Sequence, residues 1–413
     1  MEFGFGEALL TAGALLATAA ALSGVMRGTV LSISVLSVGA GLGLAATDVV
    51  SFDPESETVV ELIELALIVT LFSDGLFVER ELLFLHWGPT VRALTVAMPM
   101  TLVLLSLTAK LLFPELEWAE AFLLGAVLTP TDPVVTSAVV TAQKVPAKIR
   151  HTLNLESGLN DGLALPFVLF FLIFAQPGGD AGQEAMELLG EAAVGAAIGI
   201  GLGMLAGRLF KRAPGGGIEV KYEGIFALGV GLLAFGLADS TFGNGLIAAF
   251  VCGIALGVAE HEIPEDFVDF SENVSSILQV LTFFVFGAII VGIGFGGSVP
   301  VLVGFIVLAL LVARPAAISL SFLRSGVRSE HTAFIAWFGP KGVASMLFAL
   351  FVLNSAVPER ELIFDVAAFT IVASIVAHGL TDTVGARWIE RRMRARGAAE
   401  EPEGEPGPVP GAP

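Results

Sequence analysis

One cysteine in 413 residues excludes a disulfide framework and a thiolate metal cluster. Cys252 lies in an apolar run and reads as a small buried hydrophobe. Charge is scarce at 15% of residues, and positive charge scarcer, with 21 Lys and Arg against 40 Asp and Glu for a formal −19. Nucleic acid is therefore excluded as a partner, because phosphate binding needs clustered basic surface. The amino terminus has no basic stretch before its first apolar run, so residues 1–28 read as a membrane helix rather than a cleaved signal peptide. The apolar runs do not alternate with polar residues, which excludes a membrane β-barrel.

What is abundant is apolar surface. Hydrophobic residues make up 55% of the chain before its 48 glycines are added, and mean hydropathy is +0.85. A soluble domain carries roughly 45–50% with glycine included. A soluble enzyme is excluded, and an all-α polytopic membrane protein is expected. A crossing helix needs about 20 apolar residues, and candidate spans fall at 7–26, 29–47, 58–78, 89–109, 117–141, 149–175, 185–209, 223–239, 242–258, 275–293, 299–323, 330–353 and 362–386. That makes about thirteen transmembrane helices.

Placing Lys and Arg on alternate sides of these spans puts seventeen on one side and only Lys110 and Arg360 on the other, with Arg314 and Lys341 inside spans. The positive-inside rule then sets the amino terminus outside and the carboxyl terminus in the cytoplasm. Six spans precede the seventh and six follow it, so the two halves enter the membrane with opposite topology, as an inverted repeat requires. From Glu260 to Val274, apolar residues at helical spacing among acidic ones read as an amphipathic helix at the cytoplasmic interface. The Pro/Gly/Glu-rich tail, 398–413, is expected to be disordered.

Ionisable groups inside membrane helices are costly and so mark function. Span five carries Thr129-Pro130-Thr131-Asp132-Pro133. Each proline removes an amide donor, so the helix should unwind there and line a protein cavity. Span six carries Glu156 through Gly162. Residues four apart share a helix face, so Ser157 and Asp161 offer a hydroxyl and a carboxylate to one hard cation, while Glu156 and Asn160 point about 100° away. Span eleven holds Arg314-Pro315, and span twelve holds Gly339-Pro340-Lys341-Gly342 where a second break would match the first. Arg314 needs a buried carboxylate, for which Glu156 is the choice. Lys341 is expected to compensate carbonyl ends at the second break, and Asp132 the amide ends at the first. Asp74 either faces the ion path or caps span three. His378 is expected to bond neighbouring backbone.

These motifs together resemble the monovalent cation/proton antiporters, in particular the NhaP-type branch related to animal sodium/proton exchangers. The resemblance covers the chain apart from its tail. It implies crossing broken helices, core segments 89–175 and 299–394, dimerisation-side helices in 1–88, linker and interface helices in 185–293, and a homodimer in the cell (inner) membrane. It also implies that Asp161 is the shared sodium and proton site, with Asp132, Ser157, Thr131 and Thr129 around the ion, and Asn160, Glu156, Arg314, Lys341 and Asp74 in support. Lys341 stands where this branch more often has Arg, which keeps the charge but loses the bidentate fork. No resident cofactor is expected beyond the transported sodium and protons, and no enzymatic activity. A lone midplane carboxylate must travel with a proton or a cation, so competition for it is exchange. With Asn160 unable to titrate and Asp132 expected to stay charged, the exchange should be electroneutral. A potassium/proton antiporter would use the same residues. An intramembrane aspartyl protease would also need two membrane carboxylates, Asp132 and Asp161, but its Gly-x-Gly-Asp motif has Asn160 in the way, and it leaves the breaks and Arg314 unexplained.

Overall fold

The computed structural model describes residues 5–26, 32–82, 88–132, 145–178, 180–211, 219–259 and 265–395. Described residues that are ordered into elements are helical throughout. The helices are α1 (Phe5–Met26), α2 (Ile33–Ala46), α3 (Glu57–Leu82), α4 (Gly88–Leu112), α5 (Trp118–Val127), α6 (Ala147–Ala175), α7 (Ala181–Lys211), α8 (Val220–Asp239), α9 (Gly245–Ala259), α10 (Glu265–Gly292), α11 (Val299–Ser321), α12 (Ser329–Trp337), α13 (Val343–Leu353) and α14 (Arg360–Ala395). Helix occupies part of each of the thirteen expected windows. Among the described residues, seven helices are long and apolar enough to cross a membrane uninterrupted, and others are shorter apolar pieces of 10–17 residues. The expected amphipathic element is not separate: its residues from Glu265 onward are the opening turns of the 28-residue α10. Residues 260–264, the rest of the second half of span five, Pro133 included, and the tail lie outside the described residues.

The helices sort into two packed groups. In one, α3 packs on α9 and α10, α9 on α7 and α8, and α10 on α2. Glycines set these contacts. Gly195, Gly199, Gly203 and Gly207 recur every fourth residue on α7 and lie directly against α9 and the Asn244 that precedes it, and Gly253 of α9 lies against the Phe72 backbone of α3. A side chain at Gly195, Gly199, Gly203 or Gly253 would overlap backbone, and one at Gly207 the Ala259 side chain, so the close crossings depend on small residues, as is usual between helices in lipid. In the other group α4 packs on α5 and α11, α5 on α6, α11 on α12, and α13 on α14. The two groups meet where α3 touches α6 and α13, α7 touches α6, α2 touches α14 and α10 touches α13.

Two helices of the second group share a device that proline dictates. α4 runs through a π turn at Ala93–Ala97, and α11 through one at Ala309–Ala313. In each, a proline follows two residues after the turn, Pro99 and Pro315. Proline has no amide to donate and crowds the carbonyl four residues back, so the ladder slips to a wider turn instead of breaking. α4 and α11 pack against each other through these regions. The turn in α11 ends at Arg314 and so sets where that guanidinium points. Arg92 of α4 in turn donates to the end carbonyls of α11, Ser321 O and Leu323 O, at 3.2 Å each.

Candidate functional site

Both proline motifs unwind the chain. α5 stops at Val127 and the backbone runs unpaired as helix through Thr129–Asp132, while α12 stops at Trp337 and α13 restarts only at Val343. The two breaks cross each other: the Asp132 amide donates to Pro340 O at 2.8 Å. The charges do not serve their own breaks as the sequence suggested, but each other's. Lys341 Nζ reaches the carbonyls of Thr129 and Pro130 at 3.4 and 3.2 Å. Asp132 Oδ2 accepts from the Val343 amide at 3.4 Å, on the amino-terminal end of α13. The crossing explains the exchange of partners, since it brings the opposite half-helix end nearer than the residue's own, and the helix dipoles favour a cation at carbonyl ends and an anion at amide ends. Gly342 is required here, because a methyl group on it would overlap the Asp132 carboxylate.

α6 passes beside the crossing and presents two faces. On one, Glu156 accepts a two-pronged bond from Arg314, Nη1 to Oε1 at 2.6 Å and Nη2 to Oε2 at 2.9 Å, with both side chains buried. Arg314 Nη2 also reaches Ile335 O at 3.4 Å. Gly339 leaves room for the guanidinium, which a methyl group there would overlap. On the same side Asn160 holds the first break: its Nδ2 donates to Thr131 Oγ1 at 2.6 Å and its Oδ1 accepts from the Thr131 amide at 3.2 Å. The Asn160 amide group is thus engaged at both the backbone and the side chain of Thr131.

Asp161 is the group left over. It is 4% exposed, and its Oδ1 has no hydrogen-bond partner among the described residues. One turn earlier on α6, the Ser157 hydroxyl lies 3.3 Å from Thr131 Oγ1, so the two hydroxyls meet beside the carboxylate's helix face. The charged groups whose fields act on Asp161 are Asp74, Asp132 and Lys341. Asp74 lies on α3 against Gly158 of α6, 3.1 Å from where a Cβ there would sit, which turns it toward the site and not toward a helix cap. Thr129 is differently employed: its hydroxyl donates back to Gly125 O at 2.7 Å and its carbonyl takes Lys341. Oxygen donors from Asp161, Ser157 and Thr131 form a set suited to a hard monovalent cation as cargo.

Among the supporting residues, Ser374 and Glu120 carry no motif that sequence reading could have flagged. The Ser374 hydroxyl of α14 accepts from the Lys341 amide at 3.0 Å, pinning the second break. His378 Nδ1 meets Ser374 O at 2.7 Å, as expected of a histidine bonding neighbouring backbone, and its ring lies on Trp337 with centroids 4.9 Å apart. Glu120 accepts from the amides of Glu117 and Glu359 at 2.7 and 3.1 Å, tying the starts of α5 and α14 together. Among the described residues no group of three or more His, Cys, Asp or Glu is arranged to hold a resident metal.

Two interrupted helices crossing beside an unpaired buried carboxylate, in a chain of apolar helices, define a multi-pass membrane protein of the ion-transporter class. Residues 11–385 match the family model described as Sodium/hydrogen exchanger, transmembrane, and the chain belongs to that family. It is similar to the K(+)/H(+) antiporter NhaP of Alkalimonas amylolytica, 23% identical over 333 residues that cover 79% of this chain and 57% of that protein. It is similar to the Na(+)/H(+) antiporter 2 of Zygosaccharomyces rouxii, 26% identical over 366 residues that cover 77% of this chain and 44% of the relative. The chain thus spans about half the length of these curated relatives. The solved structure of the sodium proton antiporter MjNhaP1 from Methanocaldococcus jannaschii at pH 8 shares the fold, with a TM-score of 0.73 at 18% identity over 94% of this chain and all of the other.

Proposed function

We propose that the protein exchanges sodium, or lithium, for protons across the cell membrane, one for one, with both ions competing for Asp161. The observation that carries this reading is the unpartnered Asp161 Oδ1, buried beside the Ser157 and Thr131 hydroxyls while Glu156, Arg314, Lys341 and Asp132 each have a fixed partner. A bare carboxylate cannot cross a low-dielectric interior alone, so the group that moves must carry a proton or a cation. Asp132 and Asp74 add negative field around the cation, and Lys341 limits it. The Glu156–Arg314 pair is structural. Movement of the α4–α6 and α11–α14 group against the helices α2, α3 and α7–α10 provides alternating access. The protein works as a homodimer in lipid, with its amino terminus outside and its carboxyl terminus in the cytoplasm.

Two of the similar proteins are named for different cations, potassium in one and sodium in the other, so the test uses both. In everted vesicles carrying a proton gradient, sodium or lithium should dissipate the gradient and Asp161→Asn should abolish the response while purifying as a folded protein. Dissipation by potassium alone would move the assignment to potassium/proton exchange, and wild-type rates in Asp161→Asn would refute the site.

A further inference from the structure

Buried hydroxyl and amide groups without partners are uncommon in native proteins, and each marks water, an ion or strain. Outside the site described above, six such groups concentrate on three helices. They are Thr70 Oγ1 and Ser73 Oγ on α3, Ser275 Oγ, Gln279 Oε1 and Thr282 Oγ1 on α10, and Ser345 Oγ in the first turn of α13. All six residues are at most 8% exposed.

Helix geometry turns them toward one another. α10 packs on α2 through Phe284, Gly287 and Ala288. At about 100° per residue, Ser275, Gln279 and Thr282 lie on the opposite face. α3 packs on α9 through Phe72, Gly75 and Leu76, which puts Thr70 and Asp74 on its far face and Ser73 at its side. α3 and α10 pack on each other, and both pack on α13. The polar faces of two helices from one group therefore meet the first turn of a half-helix from the other, along the boundary across which the two groups would slide. Ser73 is next to Asp74, whose field acts on Asp161.

The geometry points to a hydrated chamber between α3, α10 and α13, lined by Thr70, Ser73, Ser275, Gln279, Thr282 and Ser345, that receives a partly hydrated monovalent cation on its way to Asp161. A buried water needs two to four polar partners, and the seam supplies more than that. Neutral hydroxyl and amide oxygens replace lost hydration without binding the ion as tightly as a carboxylate would. The ion is thus handed on to Asp161 instead of being held. This inference rests on the exchange reading for the identity of the ion, while the existence of the chamber does not.

The test uses the whole chain in vesicles with Cys252→Ala as background. Thr282→Cys and Gln279→Cys are exposed separately to a charged methanethiosulfonate reagent, with Ile277→Cys, which is 47% exposed and lies on the Phe284 side of α10, away from the chamber face, as control. Both chamber cysteines should be modified at least tenfold faster than the control. In the otherwise native chain, Thr282→Val combined with Gln279→Met should raise the apparent KM for sodium severalfold with the melting temperature unchanged or higher, since these substitutions keep volume and remove unsatisfied oxygens. Labelling no faster than at Ile277→Cys overturns the chamber, and labelling with an unchanged KM overturns its role in the ion's path. If the wild-type protein exchanges no monovalent cation yet both cysteines are labelled, the exchange reading fails and the chamber stands.

Discussion

Removing one member of the Glu156–Arg314 pair should be the most damaging single-charge change in the molecule outside the candidate ion site. The two bonds of 2.6 and 2.9 Å match a guanidinium to a carboxylate edge to edge, with the side chains 8% and 3% exposed. Among the described residues, the guanidinium in Glu156→Ala keeps only the 3.4 Å contact to Ile335 O, and its Nε already lacks a partner. Breaking a buried pair in this way costs about 3–5 kcal/mol. An unfolding entropy near 2.1 cal/mol/K per residue amounts to roughly 0.9 kcal/mol/K for 413 residues, so the cost corresponds to a melting temperature lower by about 3–6 °C. Arg314→Ala should show a similar loss. The double variant removes both charges and should fall well short of the summed losses, because an absent pair leaves no unpaired charge behind. Arg314→Lys should lie between, since an ammonium cannot bond both carboxylate oxygens in parallel. Melting of the purified protein in detergent, followed by a thiol-independent fluorescence probe, measures all four. Additive losses in the double variant, within about 0.5 kcal/mol of the sum, would refute the argument that the pair is coupled.

In sealed vesicles with the potential clamped by potassium and valinomycin, the sodium-driven proton flux should not change with voltage, because Asn160 cannot titrate and Asp132 is held on the amide end of α13; a flux that tracks voltage would show a second titrating group. On the acid side of the activity profile the apparent KM for sodium should rise about tenfold per pH unit, the mass-action result of one proton and one cation competing for one carboxylate; a pH-independent KM would exclude a shared site. Gly342→Ala should lose most exchange activity while Gly229→Ala, whose added methyl meets nothing within 4 Å, should leave it intact; equal activities would mean that Asp132 is free to move away from α13. Ser374→Ala should reduce turnover by loosening the second break where Lys341 donates to it, whereas Ser374→Thr should restore it.

The residues of the candidate site were largely legible because their signals are violations of a strong rule. Carboxylates, an arginine and paired prolines stand out in runs that lipid would otherwise keep apolar, so Asp132, Glu156, Asp161, Arg314 and Lys341 announce themselves without an alignment. The i, i+4 spacing was enough to separate the Ser157/Asp161 face of α6 from the Glu156/Asn160 face. The proline after each π turn was equally visible at Pro99 and Pro315, but its consequence was not, since a proline alone does not say whether a helix will kink, widen or stop.

What the amino-acid order determined by itself is local: apolar helices, their breaks, and the charges that sit in them, all consequences of a single solvent constraint acting along one chain. Arg314 with Glu156 was the one partnership legible beforehand, because a buried guanidinium demands a buried carboxylate; the tertiary structure decided the others. Lys341 and Asp132 each serve the other's break because the interrupted helices cross, and spacing within either segment carries no information about that crossing. Gly342, Gly339, Ser374 and Glu120 matter for the same reason. Each is an ordinary residue until a distant backbone or charge arrives within bonding distance of it, and that proximity belongs to the packed molecule and to no stretch of its sequence.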